Sequence, residues 1–375
     1  MISFMVIFST IIGFMALYAW WRCLRQMVLP KRVRHLFTAV LALLALASVS
    51  YLPLRRLGVV DDAVLELFAA AVGAVFLFFA LAVIYDLMLL LGRWWLKRPQ
   101  RSDRWRLGFD LAVVLTVAIA LIAALAGAAK APQITAHTVA IEGIEKPLRI
   151  AHLTDLHLGN SPRLGARFAR SVVEQVNALG PDLVVITGDL VDRPADEVSA
   201  LTQPLANLQS RYGTFFVAGN HEYIHGLEAI SDQLRDRNMT VLENESHTLQ
   251  TDAGAITLVG ILDPMGQRLG FSPPDAQAAF RGVGRDEVVV VLAHQPIVIH
   301  DLAPESFDLF LAGHTHGGQI FPFGLLVRTE QPYLRGLYRH DARGFIFVSS
   351  GTGYWGPPMR LFAPAEIGLI TLEPR

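Results

Sequence analysis

Cysteine is almost missing from this chain: Cys23 is the only one in 375 residues. An intramolecular disulfide is therefore impossible, and a zinc site built on several thiolates is excluded. Export is not excluded, because many extracytoplasmic domains manage without disulfides. Charge is missing in a second sense. The stretches 2–21, 35–54, 67–85 and 111–129 contain no Asp, Glu, Lys or Arg. Each is close to the ~20 residues with which a helix crosses a bilayer. One such run can be a buried core helix; four in series do not fit an ordinary soluble region. A cleaved signal peptide does not fit the first run either. No basic residue precedes it, and Trp20-Trp21-Arg22 follows where a small-residue cleavage site is needed. Internal repeats and low-complexity tails are absent too, as is any basic platform with interleaved aromatics, so no nucleic-acid partner is expected.

The composition is 53% hydrophobic, and the excess lies in the first 131 residues. Those residues carry 14 Lys and Arg against 6 Asp and Glu, whereas the remainder carries 18 against 27. This split predicts an all-α membrane region over 1–131, a connector over 132–146, partly extended, and an acidic second domain over 147–375. The four transmembrane helices are expected near 2–21, 35–54, 67–90 and 110–129. Trp20, Trp21, Trp94 and Trp95 stand at span ends, where aromatic residues favour the membrane interface. Between the first two spans lie Arg22, Arg25, Lys31, Arg32 and Arg34 with no acid. Between the last two lie Arg93, Lys97, Arg98, Arg101, Arg104 and Arg106 against Asp103 and Asp110. The positive-inside rule assigns both loops to the cytoplasm and leaves the second domain outside. Glu66 and Asp86, at the ends of the third span, are read as reaching the interface.

Five short apolar runs predict buried strands, and a polar group follows each. Residues 148–153 run into Thr154-Asp155-Leu156-His157, 183–187 into Gly188-Asp189, and 214–218 into Gly219-Asn220-His221-Glu222. Residues 288–293 are followed by His294, and 309–312 by Gly313-His314-Thr315-His316. Asp, His and Asn without thiolate suit borderline or hard divalent cations. Adjacent strands of one sheet end along one edge, so these donors can converge. Asp189 has two oxygens with which to bridge two ions. Helices are expected over 164–179, 195–210 and 227–237, and a final strand near 367–372, which implies an α/β domain.

The ordered set D-x-H, G-D, G-N-H-E, H, G-H-x-H resembles the calcineurin-like metallophosphoesterase superfamily over roughly residues 147–372. Gly-His-Thr-His-Gly-Gly-Gln at 313–319 and Pro-Pro-Met-Arg at 357–360 are similar to the bacterial YkuE/YaeI-like membrane-associated branch. The resemblance implies a four-layer αββα sandwich after the four spans. It also implies two divalent metal ions, Mn, Fe or Zn. Asp155, His157, Asp189 and His316 would hold one ion, and Asp189, Asn220, His294 and His314 the other. His221 would be the general acid. Gly188-Asp189-Leu190-Val191-Asp192-Arg193 resembles a phosphatase subset in which the second Asp orients that His, and Arg193 could meet the developing charge. The match stops at Pro194, where that subset has Gly.

The resemblance then implies a hydrolase in a bacterial inner membrane, acting on phosphate mono- or diesters, including lipid-linked ones, by attack of a metal-bound hydroxide. Two alternatives remain open at this point. One is a cytoplasm-facing pyrophosphate hydrolase of nucleotide-linked lipid precursors, and the other a non-catalytic membrane scaffold. His152, His225, His247, His300 and His340 stand alone and are read as hydrogen-bonded surface residues. Arg360 is read as either a phosphate contact or a surface residue. The Gly- and aromatic-rich stretch 317–343 is expected to wall the site.

Overall fold

A computed structural model describes the whole chain except residues 1, 26, 28, 97–102, 285 and 305. Lys97, Arg98 and Arg101 of the second basic loop lie outside the described residues. The chain divides into two units: Met1–Ala129 with Gly356–Leu361, and Lys130–Trp355 with Phe362–Arg375.

The first unit is helical. Its helices are α1 (Ile2–Ala19), α2 (Lys31–Leu57), α3 (Asp62–Leu96) and α4 (Asp103–Ala128), with a π-helical turn Trp20–Leu24 after α1. All four helices are long and apolar enough to cross a membrane. They bury a small apolar centre that includes Ile12, Ala16, Leu41 and Val75. Leu43, Leu67, Leu115 and Ile122 point outwards and stay exposed. Helices with so much apolar outer surface suit lipid, since their backbone groups are satisfied within each helix. Asp86 is paired with the Arg22 guanidinium and accepts a 2.6 Å hydrogen bond from Tyr18 Oη. A carboxylate amid apolar helices needs such partners. Arg360 also has an unexpected place: its side chain is buried, and its backbone N–H donates to the Ala124 carbonyl of α4 at 2.8 Å.

Among its described residues the second unit holds twelve strands: β1 (Gln133–Ile141), β2 (Leu148–Leu153), β3 (Leu183–Thr187), β4 (Thr214–Val217), β5 (Met239–Val241), β6 (Glu245–Thr251), β7 (Gly254–Gly260), β8 (Val288–Leu292), β9 (Leu309–Ala312), β10 (Gly336–Arg339), β11 (Phe345–Val348) and β12 (Glu366–Pro374). They form two six-stranded sheets, ordered β1-β12-β2-β3-β4-β5 and β10-β11-β9-β8-β7-β6. The five expected strands are β2, β3, β4, β8 and β9, and their registers are parallel. Their carboxyl ends therefore fall at one end of each sheet. The expected connector contains β1, an edge strand that pairs parallel with β12. Only alternate residues of its second half are buried, so no continuous apolar run announces it.

Between the sheets pack Ile150, Val185, Phe215, Leu258, Val290, Leu311 and Phe347, all buried. On the outer face of the first sheet lie α5 (Ala166–Leu179), α6 (Ala195–Thr202), α7 (Asn220–His225) and α8 (Leu227–Arg235). Helix α5 buries Ala169, Val172, Val173 and Val176 at helical spacing and stops at Gly180, whose φ is +57°. The helix expected over 195–210 is shorter. It ends at Thr202, and a 3-10 turn with Pro204 follows, because proline supplies no N–H to continue an α-helix. The opposite face carries shorter pieces: α9 (Met265–Leu269), α10 (Ala276–Ala279), the 3-10 turn Pro296–Asp301 and α11 (Gly324–Val327). The unit is an αββα sandwich with one thick and one thin helical layer.

Candidate metal centre

The loops after β2, β3, β4, β8 and β9 bring all seven expected ligands together. After β2 and β3 the chain stays paired. The amides of Asp155 and His157 donate to the carbonyls of Gly188 and Asp189, each at 3.0 Å. This short ladder sets Asp155 and His157 beside Asp189. Gly313 follows β9, and a Cβ there would overlap Thr154 Oγ1 and Asp155 Oδ2. Only glycine lets the His314 loop approach so closely.

Asp155, His157, Asp189, His314 and His316 all have positive φ, between 47° and 66°. For non-glycine residues this backbone costs roughly 1–2 kcal/mol each. The surrounding sheets impose it, and it clusters where side chains must turn towards one point.

Each aspartate divides its two oxygens. Asp155 Oδ2 accepts from Thr154 Oγ1 at 2.8 Å and from the His314 N–H at 3.0 Å, while Oδ1 lies 3.3 Å from His316 Nε2. Asp189 Oδ1 accepts the His221 N–H at 2.9 Å. Its Oδ2 lies 3.2 Å from His294 Nε2 and 3.8 Å from His157 Nε2. His294 Nδ1 donates to the Thr187 carbonyl at 2.7 Å, which leaves Nε2 as the lone-pair atom, 3.2 Å from Asn220 Oδ1 and 3.2 Å from His314 Nδ1. His157 Nε2 faces His316 Nε2 at 3.0 Å.

Two subsets result: Asp155, His157 and His316, and Asp189, His294 and His314. Metal–ligand bonds of about 2.1 Å place neighbouring donors ~3.0 Å apart in an octahedral shell and ~3.4 Å apart in a tetrahedral one. The donor separations above fall around those lengths. Nitrogens facing nitrogens also make sense around cations, since two lone pairs otherwise repel. The residues fit divalent-cation binding, with Asp155, His157 and His316 in one group and Asp189, His294 and His314 in the other.

A third subset, His157, Asp192 and His221, stands behind the first. Asp192 Oδ1 lies 2.8 Å from His157 Nδ1 and 2.6 Å from His221 Nδ1. The carboxylate thus turns Nε2 of His157 towards the cluster, the usual support for a metal-binding imidazole. His221 keeps Nε2 pointed inward, 3.8 Å from Asp189 Oδ2.

The metal-free electrostatics follow from burial and charge. Burial pushes the Asp155, Asp189 and Asp192 carboxyls up, but neighbouring imidazoles outweigh it and leave all three below the usual range. His221 is disfavoured as a cation by burial, yet Asp189 and Asp192 raise it to about 9. Asp189 likewise carries His294 well above its ordinary value against burial. His314, buried beside that cation, falls to about 3.

Arg193 is turned to the loop after β2 and to the start of α6. Its Nε donates to the Gly159 carbonyl at 3.0 Å, and Nη1 lies 3.6 Å from Glu197. His152 is not a surface residue: it is fully buried in β2, with Nε2 2.8 Å from Thr187 Oγ1. Glu222 was given no role from the sequence. Its carboxylate accepts four backbone N–H groups, from Asp189, Leu190, Val191 and Gly219, at 2.7–3.3 Å. It clasps the loop after β3 to the start of α7. Its signal was present in Gly219-Asn220-His221-Glu222, two residues after the candidate ligand Asn220. The stretch 317–343 contributes Gln319, which holds Trp355 beside His221, a partner the sequence did not suggest.

A family profile described as calcineurin-like phosphoesterase matches residues 148–318. An uncharacterized metallophosphoesterase of Campylobacter jejuni is 34% identical over 375 residues, covering 99% of this chain and 98% of its own. An uncharacterized metallophosphoesterase of Helicobacter pylori is 43% identical over 245 residues, 65% of each chain. A Danio rerio transmembrane protein with metallophosphoesterase domain is 28% identical over 394 residues, covering 99% of this chain and 89% of its own.

Proposed function

The chain belongs to the calcineurin-like metallophosphoesterase family, and we propose that it is a membrane-anchored, two-metal hydrolase of phosphate mono- or diesters. Residues 1–131 would anchor it and residues 147–375 would carry the chemistry. The observation that carries this reading is Asp189 Oδ2, poised 3.2 Å from the donor nitrogen of His294 and 3.8 Å from that of His157. One anionic oxygen between two ligand groups is the arrangement that holds two cations side by side.

Asp155, His157, Asp189 and His316 would hold one ion, and Asp189, Asn220, His294 and His314 the second. Imidazole, carboxylate and amide donors suit Mn, Fe or Zn. When bound, the two ions polarise the phosphate oxygens and lower the pKa of an attacking water. Asn220 and the imidazoles would hold the ions in a frame fixed by the surrounding loops. His221, backed by Asp192, is placed to give the leaving oxygen its proton through Nε2. Asp192 also keeps His157 in the tautomer that binds. Arg193, tied to Gly159, would add positive charge from the loop margin.

Purified full-length protein supplied with Mn should hydrolyse an aryl phosphodiester, and Asp189→Asn should abolish this. The substitution removes the bridging charge with little change in size. Wild-type rates in Asp189→Asn with two metals still bound would refute the two-metal reading. The basic loops support a bacterial inner-membrane orientation with the catalytic unit outside the cytoplasm. A periplasm-dependent reporter fused at Arg375 tests that side; activity of a cytoplasm-dependent reporter there would reverse it.

A further inference from the structure

The chain that follows His316 builds a surface rather than a ligand. Gly318 has φ +79°, and a Cβ there would overlap the backbone of Gly324. Helix α11 is therefore seated directly on the turn that ends the His314–His316 pair. Gln319, also at positive φ and buried, grips the Trp355 backbone from both sides. Its Nε2 donates to the Trp355 carbonyl at 2.8 Å, and its Oε1 accepts the Trp355 N–H at 2.9 Å. The Trp355 ring meets His221 edge-on at 6.4 Å between centroids.

From this point apolar side chains stand out. Trp355, Phe321, Phe323, Leu325, Leu326 and Phe362 are all exposed, and the Phe321 and Phe362 rings lie 5.9 Å apart. Phe362 is 74% exposed although its φ is +61°. An aromatic residue held in the left-handed region, with its carbonyl fixed by Arg335 Nη1 at 2.7 Å, presents its ring outward against both backbone preference and hydration. Scattered apolar residues are ordinary on a surface; a contiguous group beside a reaction centre marks a contact with something apolar.

The occupant follows from chain continuity. Trp355 and Phe362 are the immediate neighbours of residues 356–361, which belong to the helical unit, where Met359 and Arg360 are buried. The rim therefore includes the residues at two of the three points where the chain passes between the catalytic unit and the helical unit. We propose that this rim docks the acyl region of a bilayer lipid, so that the metal cluster acts on a phosphate ester carried by that lipid. The proposal rests on the phosphoesterase reading above and names its substrate class.

The test uses full-length protein in nanodiscs, supplied with Mn, and two probes with the same leaving group: ethyl and hexadecyl p-nitrophenyl phosphate. Wild type should favour the hexadecyl ester in kcat/KM. Leu325→Asn with Leu326→Asn, and separately Phe362→Gly, should lower hexadecyl ester turnover by ~10-fold or more and change the ethyl ester by less than ~2-fold, as loss of apolar contact predicts. Glycine accepts the backbone of residue 362, so that variant tests the ring alone. Equal loss on both esters, or no chain-length preference in wild type, would overturn the proposal. Failure to cleave either ester would instead strike the phosphoesterase reading. A second readout needs no turnover. A fluorophore on Leu325→Cys, in a Cys23→Ala background, should be quenched by brominated phosphatidylcholine, whereas one on Glu245→Cys should not. Absence of quenching at 325 would overturn the rim's contact with lipid even in an active enzyme.

Discussion

Replacing Asp192 with Asn separates the two duties that its Oδ1 combines. That atom lies 2.8 Å from His157 Nδ1 and 2.6 Å from His221 Nδ1, in a side chain that is almost wholly buried. Asn keeps an oxygen of the same size but removes the charge. On the His157 side, losing a supporting carboxylate costs ~10–100-fold in metal affinity or activity. On the His221 side, burial then faces a weaker opponent: Asp189 still raises the imidazole's pKa, but Asp192 no longer does. Less of His221 carries the proton it must deliver, and proton delivery of this kind contributes ~10²–10⁴-fold. For a leaving group that needs no proton, such as p-nitrophenolate, only the first effect counts, so the rate should fall ~10–100-fold. For an alkyl leaving group both effects count, and the fall should exceed ~10³-fold. The assay is kcat across a series of esters of graded leaving-group pKa, with metal per chain measured on the same samples. Asp192→Asn should give the steeper dependence. An equal fall on every ester, tracking lost metal, would confine Asp192 to supporting His157, and unchanged kinetics would remove it from both roles.

Other variants probe neighbouring links. His221→Ala should retain two metals per chain and turn over slowly, with a smaller defect on good leaving groups; loss of metal would make His221 a ligand instead. His152, whose burial lowers its pKa to about 3, takes up its proton far more readily in the unfolded chain. Stability from keeping it neutral is therefore complete above pH ~6.5 and lost as pH falls towards ~3, amounting to roughly 2 kcal/mol by pH 5. His152→Gln should flatten the fall in melting temperature between pH 6.5 and 5, and an unchanged profile would rule this source out. Chelation should lower the melting temperature of the catalytic unit, because ions binding only the folded state add ~4 kcal/mol at a thousand times Kd. Equal melting temperatures with and without chelator would argue against tight metal binding.

The clustered candidate ligands were legible because each follows an apolar run with a polar side chain where that run stops. Val288–Leu292 followed by Ala293-His294 is such a case. The sandwich itself came from the resemblance, since periodicity does not say which strands share a sheet. Strand β1 escaped because an edge strand buries little, and its pairing to β12 joins residues more than 200 positions apart. Glu222 was in plain view but unread. A carboxylate after a histidine gives no hint that it will collect backbone amides from another loop. Trp355 and Gln319 were hidden for a related reason: their mutual bonds span 36 residues with no pattern between.

These unread residues explain how the legible ones hold their strained shape. Asp189 has φ +50° and sits where two loops must meet. Its backbone N–H and those of the next two residues all end on Glu222, as does the N–H of Gly219 just before Asn220. One buried carboxylate thus fixes Asp189, the backbone before Asn220 and the start of His221's helix relative to one another. Burial and the nearby Asp189 charge raise the Glu222 pKa to about 7 in the metal-free protein. Cations at the cluster would oppose that rise and favour the ionised form, which is the form able to accept four N–H groups. Metal binding and loop order would then reinforce each other through Glu222.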